Sequence, residues 1–295
     1  MQVPDRFYSL VEDTCCRLYI ESLKLIPPDV VAALKQAHER ERQPIAKRVL
    51  ANYLHNIDLG RSQDMIVCQD TGLPIYWVEI GGELNFDGAL LSDAITRGTE
   101  RATIEHPLRS SVCAPITREN HQTNSGVRIP IIHYEFVRDS GVLDILFMPK
   151  GSGSENMSFL KMLDPADGVK GIKRFVLESV VEAGGKPCPP TIVGVGIGGS
   201  SDLCMLLAKK ATTRAVGSSN AEPELAALEH ELCEAINQTG IGPQGMGGET
   251  TALAVHIESA WTHITCNPVA VNLQCWRAER RRARIYADGR VDVGF

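Results

Sequence analysis

The residues with the widest chemical reach in this 295-residue chain are its nine cysteines, at positions 15, 16, 68, 113, 188, 204, 233, 266 and 275. Their odd number and wide scatter do not suggest a disulfide framework, and there is no close Cys-x-x-Cys pair to build a zinc ribbon or finger. In a reducing compartment such thiols are buried apolar residues, metal ligands or catalytic groups. Three are set apart by their surroundings. Cys68 lies in Val-Cys-Gln-Asp-Thr-Gly, Cys188 lies in Lys-Pro-Cys-Pro-Pro directly before an apolar run, and Cys275 closes Val-Ala-Val-Asn-Leu-Gln-Cys. Each falls where a regular element meets a loop, so that a sulfur can point into a cleft. The competing reading of any single one is a small buried apolar residue, and for an arbitrary cysteine that reading is the better one.

Three glycine-rich loops add the means to hold a small polar ligand, because glycine lets backbone amides approach it closely. They are Lys150-Gly-Ser-Gly-Ser-Glu-Asn156, Gly194-Val-Gly-Ile-Gly-Gly199 and Gly240-Ile-Gly-Pro-Gln-Gly-Met-Gly-Gly-Glu-Thr-Thr251. The second satisfies Gly-x-Gly-x-x-Gly between a strand and a helix, the context of a dinucleotide site. The helix then runs into the polar stretch Arg214–Asn220 rather than a strand ending in an acidic residue, so nucleotide binding is the minor reading. The alternatives are close strand-to-helix packing and an anion at the helix start. The third loop lacks Gly-Lys-[Ser/Thr] and is not a phosphate-binding Walker loop.

The elements that must position these groups are mixed in type. Pro28 opens a helix with Val30, Val31 and Leu34 inward, and a second helix runs from about Pro44 to Ile57 with Ile45, Val49 and Leu54 inward and Gly60 as its stop. Strands are expected at 75–80, 131–137, 143–148, 191–195 and 269–274, with 131–137 and 143–148 joined by the turn Asp139-Ser-Gly141. Helices are expected over 87–103, 168–184, 200–213 and 222–238, and a small hairpin after Arg284. His133 and His256 fall on strand patterns and read as structural. The fold class is α/β (α+β): an N-terminal helical region followed by a mixed sheet flanked by helices.

Hydrophobic residues make up 43% of the chain and charged ones 22%, enough apolar mass for a full core. The net charge of −6 argues against a nucleic-acid surface. The basic run Arg277–Arg284 reads as a solvated helix face or subunit rim. The N-terminus lacks the layout of a signal peptide, and no stretch has the length of a membrane span. A cytoplasmic protein is expected, with no nucleic acid and no membrane among its partners.

Five strings occur in order: CQDTG, KGSGSEN, CPPTIVGVGIGG, GIGPQGMGG and VHIESAWTHI. Together they resemble the iron-dependent fumarate hydratase and L-tartrate dehydratase family, in the alpha subunit of its two-subunit members, over about residues 10–285. The resemblance implies one iron–sulfur hydro-lyase domain over 1–295, with a helical lead-in at 1–60 and a cluster-binding core at 61–285. It implies a 4Fe-4S cluster on Cys68, Cys188 and Cys275, with one iron left open. The other six cysteines fall outside the motifs and read as core or surface thiols. Asp70 becomes a candidate for proton transfer or for orienting the base, against a plain turn residue at Thr71-Gly72. Gln69 becomes a substrate hydrogen-bond donor. Arg109 takes a position that clamps a substrate carboxylate, where its planar fork suits the task; by itself it reads as a surface cation. His263 becomes the active-site histidine, a proton relay or substrate contact, although its residues alone fit a structural role as well. Gly151 and Gly153 should bring amides to the substrate.

The family's Asn-Thr-Gly segment is altered here to Asn120-His-Gln-Thr-Asn-Ser-Gly126. The chain also stops after the alpha region, so a beta subunit is implied, in a heterodimer or heterotetramer acting on a small dicarboxylate. Hydration of fumarate to L-malate leads, and dehydration of L(+)-tartrate to oxaloacetate is the close alternative. An NAD-binding dehydrogenase and a non-catalytic, cluster-bearing scaffold or iron sensor are the readings from other classes.

Overall fold

The computed structural model describes residues 3, 6–106 and 108–295. In chain order the elements are α1 (Phe7–Lys24), α2 (Pro28–Arg40), α3 (Pro44–Ser62), β1 (Leu73–Gly81), α4 (Gly88–Glu105), β2 (Ile131–Val137), β3 (Val142–Lys150), the single-turn α5 (Ser152–Glu155) and β4 (Ser158–Leu163). Next come α6 (Gly168–Ala183), β5 (Thr191–Gly198), α7 (Ser201–Ala211), α8 (Pro223–Asn237), β6 (Ala252–Ala260), β7 (Asn267–Gln274), β8 (Arg281–Tyr286) and β9 (Val291–Gly294). The chain divides into two compact units: Met1–Ile26 with Leu59–Gly151 and Glu279–Phe295, and Pro27–Asp58 with Ser152–Ala278.

The first unit is a five-stranded mixed sheet in the order β2-β1-β3-β8-β9. Alternation along β1 sends Tyr76, Val78 and Ile80 to one face, where they pack with Phe7, Val11, Leu18 and Tyr19 of α1 and Leu91, Ala94 and Ile95 of α4. Each such side chain contributes roughly 1.5–3 kcal/mol on full burial. Asp87 starts α4 by accepting from the amides of Ala89 and Leu90 at 2.8 and 3.3 Å. Gly98 lets α4 meet α1 closely, since a Cβ there would lie 2.6 Å from the Glu12 carbonyl oxygen.

The second unit is a four-stranded mixed sheet in the order β4-β7-β5-β6. On one face Val193, Val195, Val269 and Val271 pack against Ile172, Val176 and Val180 of α6 and Leu228, Leu232 and Ile236 of α8. On the other, Ala270 packs against Cys204 and Ala208 of α7. Pro28 and Pro223 start α2 and α8, where a missing N–H costs nothing. Gly184 ends α6 at φ +54°.

The expected class is the observed one, with the strands shared between two sheets, and the expected helices and the β8–β9 hairpin are present. Three details differ. The two strands around Asp139–Gly141 are not hydrogen-bonded partners: β1 lies between them, parallel to β2 and antiparallel to β3. Sequence adjacency suggests a hairpin, but pairing is settled by which strand fills the gap. In α3 the buried stripe is Ala46, Leu50, Tyr53 and Ile57, one step round from the expected face, and Ile45 is 58% exposed.

The basic run is not a solvated helix face. It leads into β8, and Arg277, Arg280 and Arg281 are buried. Arg281 pairs with Glu21 and lies over the Phe295 ring, while Arg282 and Arg284 donate to the two carboxylate oxygens of Asp144 at 2.6 and 2.8 Å. Carboxylates from distant segments neutralise these cations, which a charge count along the chain does not register.

Candidate functional site

In the first unit, Cys68-Gln69-Asp70 forms the loop into β1. Cys68 is half-buried, Gln69 exposed and Asp70 half-buried. Asp70 Oδ1 accepts from Gly72 N at 3.1 Å, the turn geometry that its residue type alone predicts. Gly72 has φ +75°, and a Cβ there would meet Lys150 N at 2.7 Å, so only glycine lets the loop close against the end of β3. Buried Tyr19 donates from its hydroxyl to the carbonyls of Thr71 (3.1 Å) and Gly72 (3.4 Å). Burial raises that phenol above its usual pKa; the hydrogen bond at Thr71 opposes the shift and the charge of Asp70 adds to it.

Arg109 is brought to this loop by its backbone. Its carbonyl accepts from Thr71 Oγ1 at 2.5 Å and from Asn124 Nδ2 at 3.1 Å. Asn124, 1% exposed at φ +54°, also accepts from Ser111 N at 2.6 Å and donates to Thr103 Oγ1 of α4 at 3.2 Å. Asn120 accepts from the Ser110 hydroxyl at 2.7 Å and donates to the Ser110 carbonyl at 3.1 Å. The altered segment 120–126 is therefore the brace of the arginine loop. The Arg109 side chain is exposed, and among the described residues its guanidinium makes no hydrogen bond or ion pair.

In the second unit, Cys188 and Cys275 come together. Trp276 N donates to the Cys188 carbonyl at 3.1 Å, which sets the two cysteine-bearing turns side by side. Cys188 has φ +56°, a strained conformation for a residue with a Cβ and one that collects at functional sites. Tyr53 of α3 stacks on Trp276 at 4.0 Å between centroids and 8° between planes, and donates to the Pro189 carbonyl at 3.1 Å. Burial raises the Tyr53 hydroxyl; a hydrogen bond with Gln244 opposes this, and both Cys188 and Cys275 add to it. Both thiols thus lie within electrostatic reach of one phenol. No disulfide exists among the described residues. Two neighbouring turns that each carry a thiol, the one at Cys188 strained, offer donors of the soft kind that iron–sulfur clusters take, so these residues fit that group.

The glycine loops serve this second arrangement. A Cβ on Gly153 would lie 2.8 Å from the Lys186 carbonyl, and one on Gly185 would lie 2.9 Å from that of Gln244. Two loops thus close on the turn before Cys188. Gly151 is buried at the end of β3 in the first unit. Buried Glu41 organises the third loop by accepting from Gln43 N and Glu249 N, both at 2.9 Å. Gly194 and Gly196 face α7: a Cβ on Gly194 or Gly196 would sit 2.0 Å from the carbonyl of Ala208 or Cys204. The packing reading therefore accounts for that motif. Cys204 is buried and donates to the Gly196 carbonyl at 3.2 Å; burial pushes its thiol up to about 11.

His263 is exposed in the loop between β6 and β7, which Thr262 ties to the Gly199 carbonyl at 2.9 Å. Its Nδ1 lies 2.8 Å from Thr265 Oγ1 and 3.2 Å from Thr265 N, both within its own loop. His133 stacks on Trp77 and His256 is buried on β6, in keeping with structural roles.

A further group of donors, Cys16, Glu105 and His106, has ligand atoms within 4.8 Å of one another. Arg101 lies beside it, in contact with Cys16 and 3.7 Å from Glu105. Sequence reading missed Tyr53, Thr71, Asn124, Gln244 and Trp276. Of these, Thr71 lies in CQDTG, Gln244 in GIGPQGMGG and Asn124 in an Asn-Ser-Gly turn signal, whereas Tyr53 and Trp276 left no trace in the local pattern.

The chain is of mixed α/β class, with the two cysteine-bearing turns in the second unit and the arginine loop in the first. The chain matches the fumarate hydratase (Fumerase) family over residues 12–285, and it belongs to that family. It is 44% identical over 283 residues to a chain of Methanocaldococcus jannaschii named "Putative L(+)-tartrate dehydratase subunit alpha", covering 95% of this chain and 99% of that one. It is 34% identical to the L(+)-tartrate dehydratase subunit alpha of Escherichia coli and 33% identical to that of Shigella sonnei, in both cases over 263 residues, 89% of this chain and 86% of the relative. Among the described residues no helix is long and apolar enough to cross a membrane.

Proposed function

We propose that this chain is the alpha subunit of an iron–sulfur hydro-lyase that reversibly hydrates fumarate to L-malate. Cys68, Cys188 and Cys275 are the thiolate ligands of its 4Fe-4S cluster. The observation that carries the reading is the paired setting of Cys188 and Cys275 beside Tyr53 and Trp276. When bound, such a cluster supplies a Lewis acid at the iron that no cysteine holds. The chain's own residues bind and orient the substrate. Arg109, whose guanidinium makes no hydrogen bond or ion pair among the described residues, binds one carboxylate. Gln69, exposed on its loop, donates to a substrate oxygen. The Gly151 and Gly153 segment brings main-chain amides to the dicarboxylate. Asp70 moves or orients the proton at the carbon next to a carboxylate, and His263 relays a proton or contacts the substrate.

The relatives' names favour a second reading in which L(+)-tartrate is dehydrated to oxaloacetate by the same residues. They also support a beta subunit as partner, since each is named as an alpha subunit. The test is anaerobic co-purification with that partner, the iron–sulfur absorbance, and parallel assays on fumarate and L(+)-tartrate. Cluster absorbance and turnover of one dicarboxylate are expected. Iron retained after Cys68→Ala, Cys188→Ala and Cys275→Ala together, or no iron in the wild type, overturns the assignment. Wild-type turnover by Asp70→Asn removes Asp70 from the proton path.

A further inference from the structure

Where α1 crosses the end of α4, three side chains able to hold a metal ion come together. The crossing is close: a Cβ on Gly98 would lie 2.6 Å from the Glu12 carbonyl oxygen and 3.2 Å from Cys16 N. Glu12 and Cys16 are one turn apart on α1, and Arg101 and Glu105 one turn apart on α4, so each pair shares a face of its helix. Those faces meet, and His106 follows directly where α4 ends. The result is a thiol, a carboxylate and an imidazole whose ligand atoms all lie within 4.8 Å of one another. Cys16 is buried, His106 half-buried and Glu105 exposed, so the group opens to solvent on one side.

The charges around the group leave one carboxylate over. Arg101 donates to Glu12 at 3.0 Å and to Asp13 at 2.7 Å, and Arg97 donates to the other Glu12 oxygen at 2.8 Å. Two arginines and two carboxylates cancel, and Glu105 remains as a surplus negative charge. Arg101 Nε stands 3.7 Å from it, beyond hydrogen-bond length, and is buried with no hydrogen-bond partner among the described residues. The His106 ring likewise makes no hydrogen bond or ion pair among the described residues. Burial holds the Cys16 thiol above its usual pKa, and Arg101 opposes the rise.

We propose that Cys16, Glu105 and His106 are the ligands of a divalent transition-metal ion of the zinc class. Sulfur, imidazole nitrogen and carboxylate oxygen are the donors that Zn2+ takes, and three of them leave its fourth tetrahedral position to water. On binding, the Cys16 S–H bond breaks, a Zn–S bond forms and the proton leaves to solvent. Thiolate and carboxylate then cancel the two charges of the metal. Arg101, its own charge still met by Glu12 and Asp13, stays in contact with the coordinated sulfur. The metal ties α1 to the segment that starts at His106, whose carbonyl accepts from Leu108 N at 2.7 Å, directly before Arg109. This site is independent of any cluster bound elsewhere in the chain.

Co2+ reports such a site, because a thiolate bound to it gives a charge-transfer band that oxygen and nitrogen donors do not. The test uses the full chain carrying Cys68→Ala, Cys188→Ala and Cys275→Ala, so that the thiols proposed for the cluster contribute nothing. Stoichiometric Co2+ should give one equivalent of thiolate-bound metal, and Zn2+ should displace it. With circular dichroism unchanged, Cys16→Ala should abolish the band and His106→Ala should weaken binding about tenfold or more. Should the triple substitution unfold the chain, the wild type serves instead: Zn2+ should raise its thermal midpoint by more than it raises that of His106→Ala. No band at stoichiometric Co2+, a band that persists in Cys16→Ala, or equal affinity or midpoint shift in His106→Ala overturns the proposal.

Discussion

Asn124 makes the link between stability and substrate binding measurable. It holds three hydrogen bonds: from Ser111 N at 2.6 Å, to Thr103 Oγ1 at 3.2 Å and to the Arg109 carbonyl at 3.1 Å. At a net worth of about 1 kcal/mol each, the three contribute about 3 kcal/mol. Its φ of +54° suits asparagine but costs alanine a further 1–2 kcal/mol or so. Asn124→Ala should therefore destabilise the chain by about 4 kcal/mol in urea unfolding. Asn124→Gly should cost about 3 kcal/mol, since the backbone strain is gone. Asn124→Asp keeps the acceptor for Ser111 N and should cost about 2 kcal/mol. In the complex with the partner subunit, Asn124→Asp should raise the KM for the dicarboxylate about tenfold or more with kcat little changed, because the loop bearing Arg109 loses a brace while the chemistry is untouched. A loss under about 1 kcal/mol in Asn124→Ala would show that the brace does not form. An unchanged KM in a destabilised Asn124→Asp would remove Arg109 as the carboxylate clamp.

Three further outcomes are expected. Gly196→Ala puts a Cβ 2.0 Å from the Cys204 carbonyl, with backbone on both sides and no flexible end to yield, so it should cost about 3 kcal/mol in urea unfolding. Titration calorimetry of the wild type with NAD should show no binding, and tight binding would restore the dehydrogenase reading. Tyr19, Tyr53 and Tyr76 are all raised above the ordinary phenol value of 10.0, chiefly by burial. Since the folded pKa values lie above the unfolded ones, their contribution to stability is complete below about pH 10 and is lost as pH rises beyond it. Ultraviolet titration at about pH 11 should find these three of the six tyrosines still protonated in the folded chain, and three slow phenols absent there would contradict the burial.

The candidate cluster cysteines and the residues around them stand out in the sequence because motif strings carry chemistry locally: Cys-Gln-Asp-Thr-Gly and Lys-Pro-Cys-Pro-Pro keep their character wherever the chain goes. Helices, too, declared themselves through proline starts and apolar spacing. What holds those residues in place was not legible. Tyr53 is one of several apolar positions on an amphipathic helix, and its role exists only because Trp276 and the Pro189 carbonyl, far along the chain, meet it.

The same division runs through the whole molecule. The sequence by itself determined the class, the family and the candidate chemical groups, since these depend on residue type, period and order along the chain. Tertiary structure alone decided that β1 separates β2 from β3, and that Gly194 and Gly196 pack against α7. It also decided that Arg281 pairs with Glu21, and Arg282 and Arg284 with Asp144. The physical reason is the same in each case: packing and charge neutralisation are long-range sums over neighbours, and a residue's neighbours are fixed only when the chain has folded.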